Sequence, residues 1–360
     1  MNRKEYEPAC RQMERLDPFF RQVWEKAYAD EIPITGTFEL TPRCNFNCRM
    51  CYVHLPESQI EQYGRELSAA EWIRIAEEAR EAGTTWLCIT GGEPLMHPEF
   101  ETIWRELSGM GFFITLQTNA SMVSRYEKLF EECPPRQCKI TLYGSSDEVY
   151  EKVCRVEKGF TRADEGIRML RQMKIPVELV STVINQNLDD VENIIRYVDA
   201  SRLLWIPNIN VRTAGRGVDV DMEQLRIRPP ERKNTDADDD GGNGGTGNGS
   251  GAAESLGKRR KFDPDRKPCT YCKDYRIGYW IVWNGYMRFC SFLNGPDIPV
   301  REKPFAECWK ELIKCWSALE WPQECGTCEY KESCARCAAL FDIDDGKLKV
   351  RSEFCKKRKG

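Results

Sequence analysis

Thr35-Gly36-Thr37-Phe38-Glu39-Leu40, followed at residues 44–52 by Cys44-Asn45-Phe46-Asn47-Cys48-Arg49-Met50-Cys51-Tyr52, is the stretch from which the rest of the chain can be read. The first part alternates like a half-buried strand. The second places three cysteines within eight residues, spaced C-x3-C-x2-C, on a loop leaving that strand. Asn45 and Asn47 let such a loop curl until three thiolates meet. Clustered soft thiolates bind zinc or an iron–sulfur cluster. A structural zinc site normally closes with four protein ligands. This loop offers three, and three thiolates on a four-iron cluster leave one iron open. Zinc completed by His54 is the plainer alternative.

The cysteine loop and the aromatic Tyr52 resemble the signature of the radical S-adenosylmethionine (SAM) enzymes. The resemblance implies that Cys44, Cys48 and Cys51 hold a [4Fe-4S] cluster. It implies that SAM chelates the open iron and is cleaved by one electron to methionine and a 5′-deoxyadenosyl radical. Tyr52 would pack near the adenine. An external donor of flavodoxin or ferredoxin type would supply the electron.

Outward from this loop the chain alternates strand and helix. Ser68-Ala69-Ala70-Glu71 is a capping-box start, with Trp72, Ile75, Ala76 and Ala79 on one helix face and Gly83 at the end. Strands are expected near 86–90, 112–117, 138–143, 177–184 and 203–211, with helices between them. Six strands joined by helices imply a parallel sheet with right-handed crossovers. The expected fold is α/β, a partial (β/α)6 TIM-like barrel with a small cysteine-rich α+β domain behind it. Residues 1–34 are expected to be an amphipathic helical segment, with Phe19, Phe20, Val23, Trp24 and Ala27 on one face, and 35–213 the barrel. Residues 214–262, rich in Asp, Gly and then Lys/Arg, read as a flexible low-complexity linker. Residues 263–360 form the cysteine-rich domain, in which Gly278 to Trp283 and Tyr286 to Cys290 read as a hairpin turning at Asn284-Gly285.

Composition narrows the chemistry. The chain of 360 residues has a net charge of −4 and carries 18 cysteines but only two histidines, His54 and His97. The acidic balance argues against a nucleic-acid partner. No apolar run is long enough for a membrane span and no signal core is present, so a cytoplasmic location and no membrane are expected. Abundant thiols in such a setting point to metal or clusters rather than disulfides. Chemistry run by several histidines is disfavoured.

Parallel β/α folds bind ligands where strands end. Gly91-Gly92-Glu93-Pro94 directly follows the second strand and is similar to the family motif that meets the SAM amino group. The resemblance extends to Thr118 and Asn119 at the third strand end, where Ala120 replaces the family's usual Gly. Ser145 after the fourth strand and Arg155 fall where relatives contact the ribose and the SAM carboxylate. Asn185 and Arg212 are further pocket candidates by position.

The C-terminal segment holds ten of the 18 cysteines. Cys269-x2-Cys272-x12-Gly285-x4-Cys290, then Cys325-x2-Cys328-x5-Cys334-x2-Cys337 and Cys355, resembles the SPASM extension of radical SAM enzymes. The final internal gap is two residues where that family has three. By resemblance Cys269, Cys272, Cys290 and Cys337 hold auxiliary [4Fe-4S] cluster I, with Cys308 or Cys315 as substitutes for Cys337. Cys325, Cys328, Cys334 and Cys355 hold cluster II. Two zinc ribbons would also use close C-x2-C pairs. The remaining thiols, Cys88 and Cys154 among them, read as core or surface residues.

SPASM-bearing relatives mostly modify peptides. The resemblance therefore implies an oxidoreductase that crosslinks a ribosomally made precursor, with SAM and three [4Fe-4S] clusters. A separate peptide-recognition protein is a further partner it allows. A sulfatase-maturing enzyme is an alternative, disfavoured because Ser291 stands where an Asp is usual. A peptide epimerase and, in another class, a non-catalytic zinc scaffold are the others.

Overall fold

The computed structural model of the chain describes residues 18–209, 211, 222–227, 267–269, 272, 275–293, 295–328, 337–344 and 347–350. Arg212, Cys334, Cys355, most of the 214–262 stretch and residues 1–17 lie outside them.

Six parallel strands form as the alternation predicts: β1 (Thr35–Glu39), β2 (Trp86–Thr90), β3 (Phe113–Thr118), β4 (Gln137–Thr141), β5 (Val177–Thr182) and β6 (Leu204–Asn208). Each pairs in parallel with the next. The helices between them are amphipathic. α2 (Ala69–Glu81), which follows the N-terminal α1 (Pro18–Asp30), starts at the Ser68/Glu71 capping box. It buries Trp72, Ile75, Ala76 and Ala79 against the outer face of the sheet, where Trp72 meets Phe38 at 4.9 Å. α3 (Phe100–Gly109) does the same with Phe100, Ile103, Trp104 and Leu107. At about 1.5–3 kcal/mol per large side chain, such a stripe outweighs the few tenths per residue that helix propensity offers. The expected partial barrel is borne out, its strand ends within two or three residues of those read from the pattern. α4 (Glu127–Glu132), α5 (Asp147–Cys154), α6 (Gly159–Gln172) and α7 (Val191–Ser201) complete the series.

α1 packs on the barrel's N-terminal end, with Trp24 and Phe20 at 4.9 and 6.0 Å from Trp86, the first residue of β2. The opposite, C-terminal end is left for ligand.

One feature of the topology is not periodic in sequence. β7 (Gly278–Ile281) pairs in parallel with β1, and β8 (Tyr286–Arg288) and β9 (Ile298–Pro299) continue antiparallel, giving one sheet in the order β6-β5-β4-β3-β2-β1-β7-β8-β9. The hairpin turns at Gly285, whose φ of 88° favours glycine. α8 (Phe305–Ala318) lies beside α2, where Phe305 N donates to Glu78 Oε2 at 2.6 Å. Tyr279, Phe289, Phe305 and Trp316 join the same apolar core as the barrel residues. β10 (Phe341–Asp344) and β11 (Lys347–Val350) form a separate antiparallel pair. No helix among the described residues is long and apolar enough to cross a membrane.

Candidate active site

The loop after β1 is built as a rigid shelf. On one side it is zipped to the loop after β2: Leu40 N donates to Thr90 O at 2.8 Å, Gly92 N to Thr41 O at 2.6 Å and Glu93 N to Arg43 O at 2.7 Å. A Cβ on Gly91 would come within 2.8 Å of Thr41 O, and one on Gly92 within 2.4 Å of Arg43 O. These glycines are therefore required by backbone approach. On the other side Asn47 N donates to Cys154 O at 3.0 Å and Arg49 N to Val153 O at 2.9 Å, so the end of α5 pins the loop. Arg43 Nε binds Glu66 Oε2 at 2.9 Å and fixes the loop's entry.

Cys44, Cys48 and Cys51 line one wall of a cavity of about 120 Å³ at the C-terminal ends of the strands. Phe46 N donates to Cys44 Sγ at 3.4 Å and His54 N to Cys51 Sγ at 3.2 Å. Burial and the neighbouring Cys48 push the Cys51 thiol up to about 11, and burial with Glu93 and the other two thiols raises Cys44. Cys48 is raised first by its contact with the buried Cys154 thiol, then by burial. Grouped buried thiols are costly to ionise alone, and a bound cationic cluster removes that cost. Among the described residues no three His, Cys, Asp or Glu side chains close on a single ion. Three thiols on one cavity wall are a donor set that a four-iron cluster can take with its fourth iron left open.

Gln117, Thr141, Thr182 and Asn208, at the ends of β3 to β6, line the cavity's far side. These were legible only through strand alternation, which turns every second residue inward. Tyr52 and Phe292 close it, their rings 4.5 Å apart. Glu39, also missed in the sequence, is buried near Cys51 and accepts from Trp280 Nε1 at 3.0 Å.

A second thiol group lies in the C-terminal segment. Cys269 contacts Cys272, and Cys290 and Cys337 are near enough to raise it electrostatically. Burial pushes Cys290 up to about 12, against N–H donation to its sulfur from Phe292 and Leu293. Cys308 instead sits on α8 with its Sγ 3.9 Å from Lys303 O. Cys315 is half-buried on the same helix. Cys325 and Cys328 flank the end of a short turn at Gln323–Gly326.

Residues 38–198 match the model of the radical SAM superfamily. The chain carries a radical SAM domain. It is 23% identical to an "AdoMet-dependent heme synthase" of Oleidesulfovibrio alaskensis over 88% of this chain and 86% of that protein. It is 25% identical to a "PqqA peptide cyclase" of Bradyrhizobium diazoefficiens over 48% of this chain and 46% of that one. In fold it is similar to SuiB of Streptococcus suis bound to S-adenosylmethionine, with a TM-score of 0.60, 12% identity and coverage of 89% and 77%. SuiB bound to precursor peptide SuiA superposes with a TM-score of 0.51 at 12% identity, over 90% of this chain and 78% of that one.

Within the radical SAM domain the residues suggested for SAM divide. Tyr52, Gly91, Gly92, Thr118 and Asn119 line the cavity. Glu93 is buried beneath it: its carboxylate accepts from Thr118 Oγ1 at 2.6 Å, Asn119 N at 2.8 Å and Leu95 N at 3.2 Å. Burial nonetheless pushes it up to about 7. Asn119 Nδ2 donates in turn to Asn45 Oδ1 at 2.9 Å, tying β3 to the cysteine loop. Ala120 has a φ of 63°, the left-handed conformation that accounts for the family's glycine there. Ser145 is held by Asp190, with Oγ to Oδ1 at 2.8 Å and N to Oδ2 at 2.6 Å, and lies off the cavity wall. Arg155 is exposed at the end of α5 and does not line the cavity. Asn185 clamps residues 224–226, donating to Gln224 O and Arg226 O. His97 is buried between Leu67 O and Glu99 N.

Proposed function

We propose that this chain reductively cleaves SAM and uses the resulting radical to oxidise a peptide or protein, closing a crosslink in a ribosomally made precursor. Bound at Cys44, Cys48 and Cys51, a [4Fe-4S] cluster would supply the electron that opens SAM to methionine and the 5′-deoxyadenosyl radical. The chain's own residues do the rest. Gly91 and Gly92 let SAM lie against backbone, Glu93 fixes the Thr118–Asn119 end of the wall, and Tyr52 closes over it. Cys269, Cys272, Cys290 and Cys337 hold a second cluster, with Cys325, Cys328, Cys334 and Cys355 as ligands of a third. A flavodoxin- or ferredoxin-type donor is the expected electron source. The domain limits 35–213 and 263–360 carry these roles, with 214–262 as tether.

The observation that carries this reading is the pair of thiol groups, one on the cavity wall and one whose Cys290 loop reaches that cavity through Phe292. Leu204 and Ile206, 62% and 43% exposed, lie on the same face of β6 as Asn208 and offer an apolar surface for a substrate leading into the cavity. SuiB, similar in fold, binds a precursor peptide. A second reading, synthesis of heme, is favoured by the relative that covers 88% of this chain.

Anaerobic reconstitution tests the reading. About twelve iron and twelve sulfide per chain are expected. SAM cleavage accelerated by peptides, with mass loss of two hydrogens in a peptide, supports crosslinking. Acceleration by a heme precursor and by no peptide moves the assignment to the second reading. About four iron with zinc present removes the auxiliary clusters.

A further inference from the structure

Phe292 is the only residue of the described C-terminal segment that lines the SAM cavity. Its ring is 4.5 Å from that of Tyr52, at an interplanar angle of 46°. Its backbone N–H donates to the sulfur of Cys290, two residues earlier. One residue thus links the two thiol groups: its main chain donates to a cysteine of the C-terminal group, and its ring packs on Tyr52, the residue after Cys51, in the wall of the cavity that the other three cysteines line. Ser291, between them, is buried. Leu293 N–H also donates to Cys290 Sγ, which makes the chain wrap around that sulfur. Such wrapping is set by where the sulfur sits, and a cysteine held by a cluster has a fixed position.

We propose that Phe292 is a positioning residue through which the C-terminal cysteine site completes the SAM cavity, so that SAM affinity depends on that site being filled. The inference rests on reading Cys269, Cys272, Cys290 and Cys337 as a cluster site. Phe292 acts by holding Tyr52 against the cavity. With the cluster absent, Cys290 is released, the 290–292 turn relaxes, and Tyr52 loses its support. Barrel cleavage chemistry and C-terminal cluster content are then linked without any substrate bound. An aromatic pair adds about 0.5–1.5 kcal/mol beyond its buried area, which corresponds to roughly two- to tenfold in affinity.

The test is equilibrium dialysis of radiolabelled SAM against anaerobically reconstituted holoenzyme, with iron counted on the same samples. Phe292→Ala is expected to keep its iron and bind SAM about fivefold more weakly. It should also reduce the SAM-induced change in the electron paramagnetic resonance spectrum of the reduced cluster. Phe292→Tyr, which keeps the ring, should restore both, and reads the contact even if the alanine variant folds poorly. Cys290→Ala should lose about four iron and show the same weakening, and adding Phe292→Ala to it should cost nothing more. Phe292→Ala with full iron and wild-type SAM binding overturns the inference while the cluster reading stands. So does Cys290→Ala that loses iron with SAM binding unchanged. A wild-type content near four iron removes the cluster reading and the inference with it.

Discussion

The two cysteine sites hold their thiols by opposite means. Cys44, Cys48 and Cys51 come from eight consecutive residues on a loop pinned on both flanks by main-chain hydrogen bonds to β2's loop and α5. Cys269, Cys272, Cys290 and Cys337 come from segments that include a turn, a hairpin end and the residue before a single 3₁₀ turn. Closing a long loop costs more entropy than closing a short one, and among the described residues next to Cys269 and Cys337 the regular structure is short. The first site is therefore shaped by the barrel before any ligand arrives. Under the proposed function, the second would take much of its order from the cluster it holds. Pre-formed geometry suits a site proposed to open SAM, since misplacement there costs rate directly.

The sharpest way to break this comparison is to remove one thiol from each. Cys48→Ala should abolish SAM cleavage, a fall of at least about 100-fold in 5′-deoxyadenosine formed, with little change in thermal stability, because the loop's backbone bonds remain. Cys290→Ala should leave cleavage within about tenfold yet lower stability of the C-terminal segment. Equal losses of cleavage in both variants would show that the sites are one functional unit and sink the distinction.

Stripping iron is the next largest test. Chelated protein should be cut by protease first at residues 319–328, directly after α8. β7, β8 and α8 should stay protected by the core they share with the barrel: Phe289 stacks on Trp316 at 4.6 Å, and Trp309 Nε1 donates to Glu31 O at 2.6 Å. Early cuts in the 44–51 loop would mean that it too needs its ligand.

Much of this contrast was legible in the sequence, because periodicity and spacing report local order. The barrel strands, the Ser68 capping box and the C-x3-C-x2-C loop all follow from neighbours in the chain. What the pattern did not carry is long-range. Nothing near Gly278 announces a parallel pair with Thr35, and β7 carries Trp280 to Glu39. Ser145 has the right position after β4, but Asp190, 45 residues on, takes both its N–H and its hydroxyl. Cys154 reads as a core or surface thiol; it is buried, and α5 delivers it against Cys48. Motifs place a residue on a strand end, and the partner that captures its side chain decides where it points.

Glu93 separates scaffold from ligand binding in the barrel site. Its pKa rises to about 7 through burial, from an ordinary carboxylate value of 4.5. A raised folded-state pKa contributes stability that is complete below pH 4.5 and is lost as pH rises through about 7. The loss is at most roughly 3 kcal/mol. Glu93→Gln is neutral throughout, so in urea melts without SAM its stability relative to wild type should improve between pH 4.5 and 8. Its SAM binding should nevertheless weaken, as the Thr118–Asn119 wall loses a charged acceptor. A stability difference that does not change with pH would show that Glu93 ionises in the fold at the ordinary carboxylate value of 4.5.

The smallest effect is expected at Ala120, where two terms nearly cancel. Its φ of 63° costs an alanine about 1–2 kcal/mol that glycine would not pay. Its buried methyl is worth about 0.8 kcal/mol, and glycine adds roughly 0.5–1 kcal/mol of unfolded-chain entropy. Ala120→Gly should therefore shift stability by less than about 1 kcal/mol and leave SAM binding unchanged. The same substitution is informative because Ala120 O packs where Gly166 approaches from α6, close enough that a Cβ on Gly166 would lie 2.1 Å away. The strand-end turn is held by that helix contact and by Thr118 Oγ1, which accepts from Ala120 N at 3.1 Å, rather than by the side chain at 120. A gain or loss well beyond 1 kcal/mol, read from denaturant midpoints, would mean that the turn is shaped by residue 120 itself, and that the barrel site is less pre-formed than its hydrogen bonds imply.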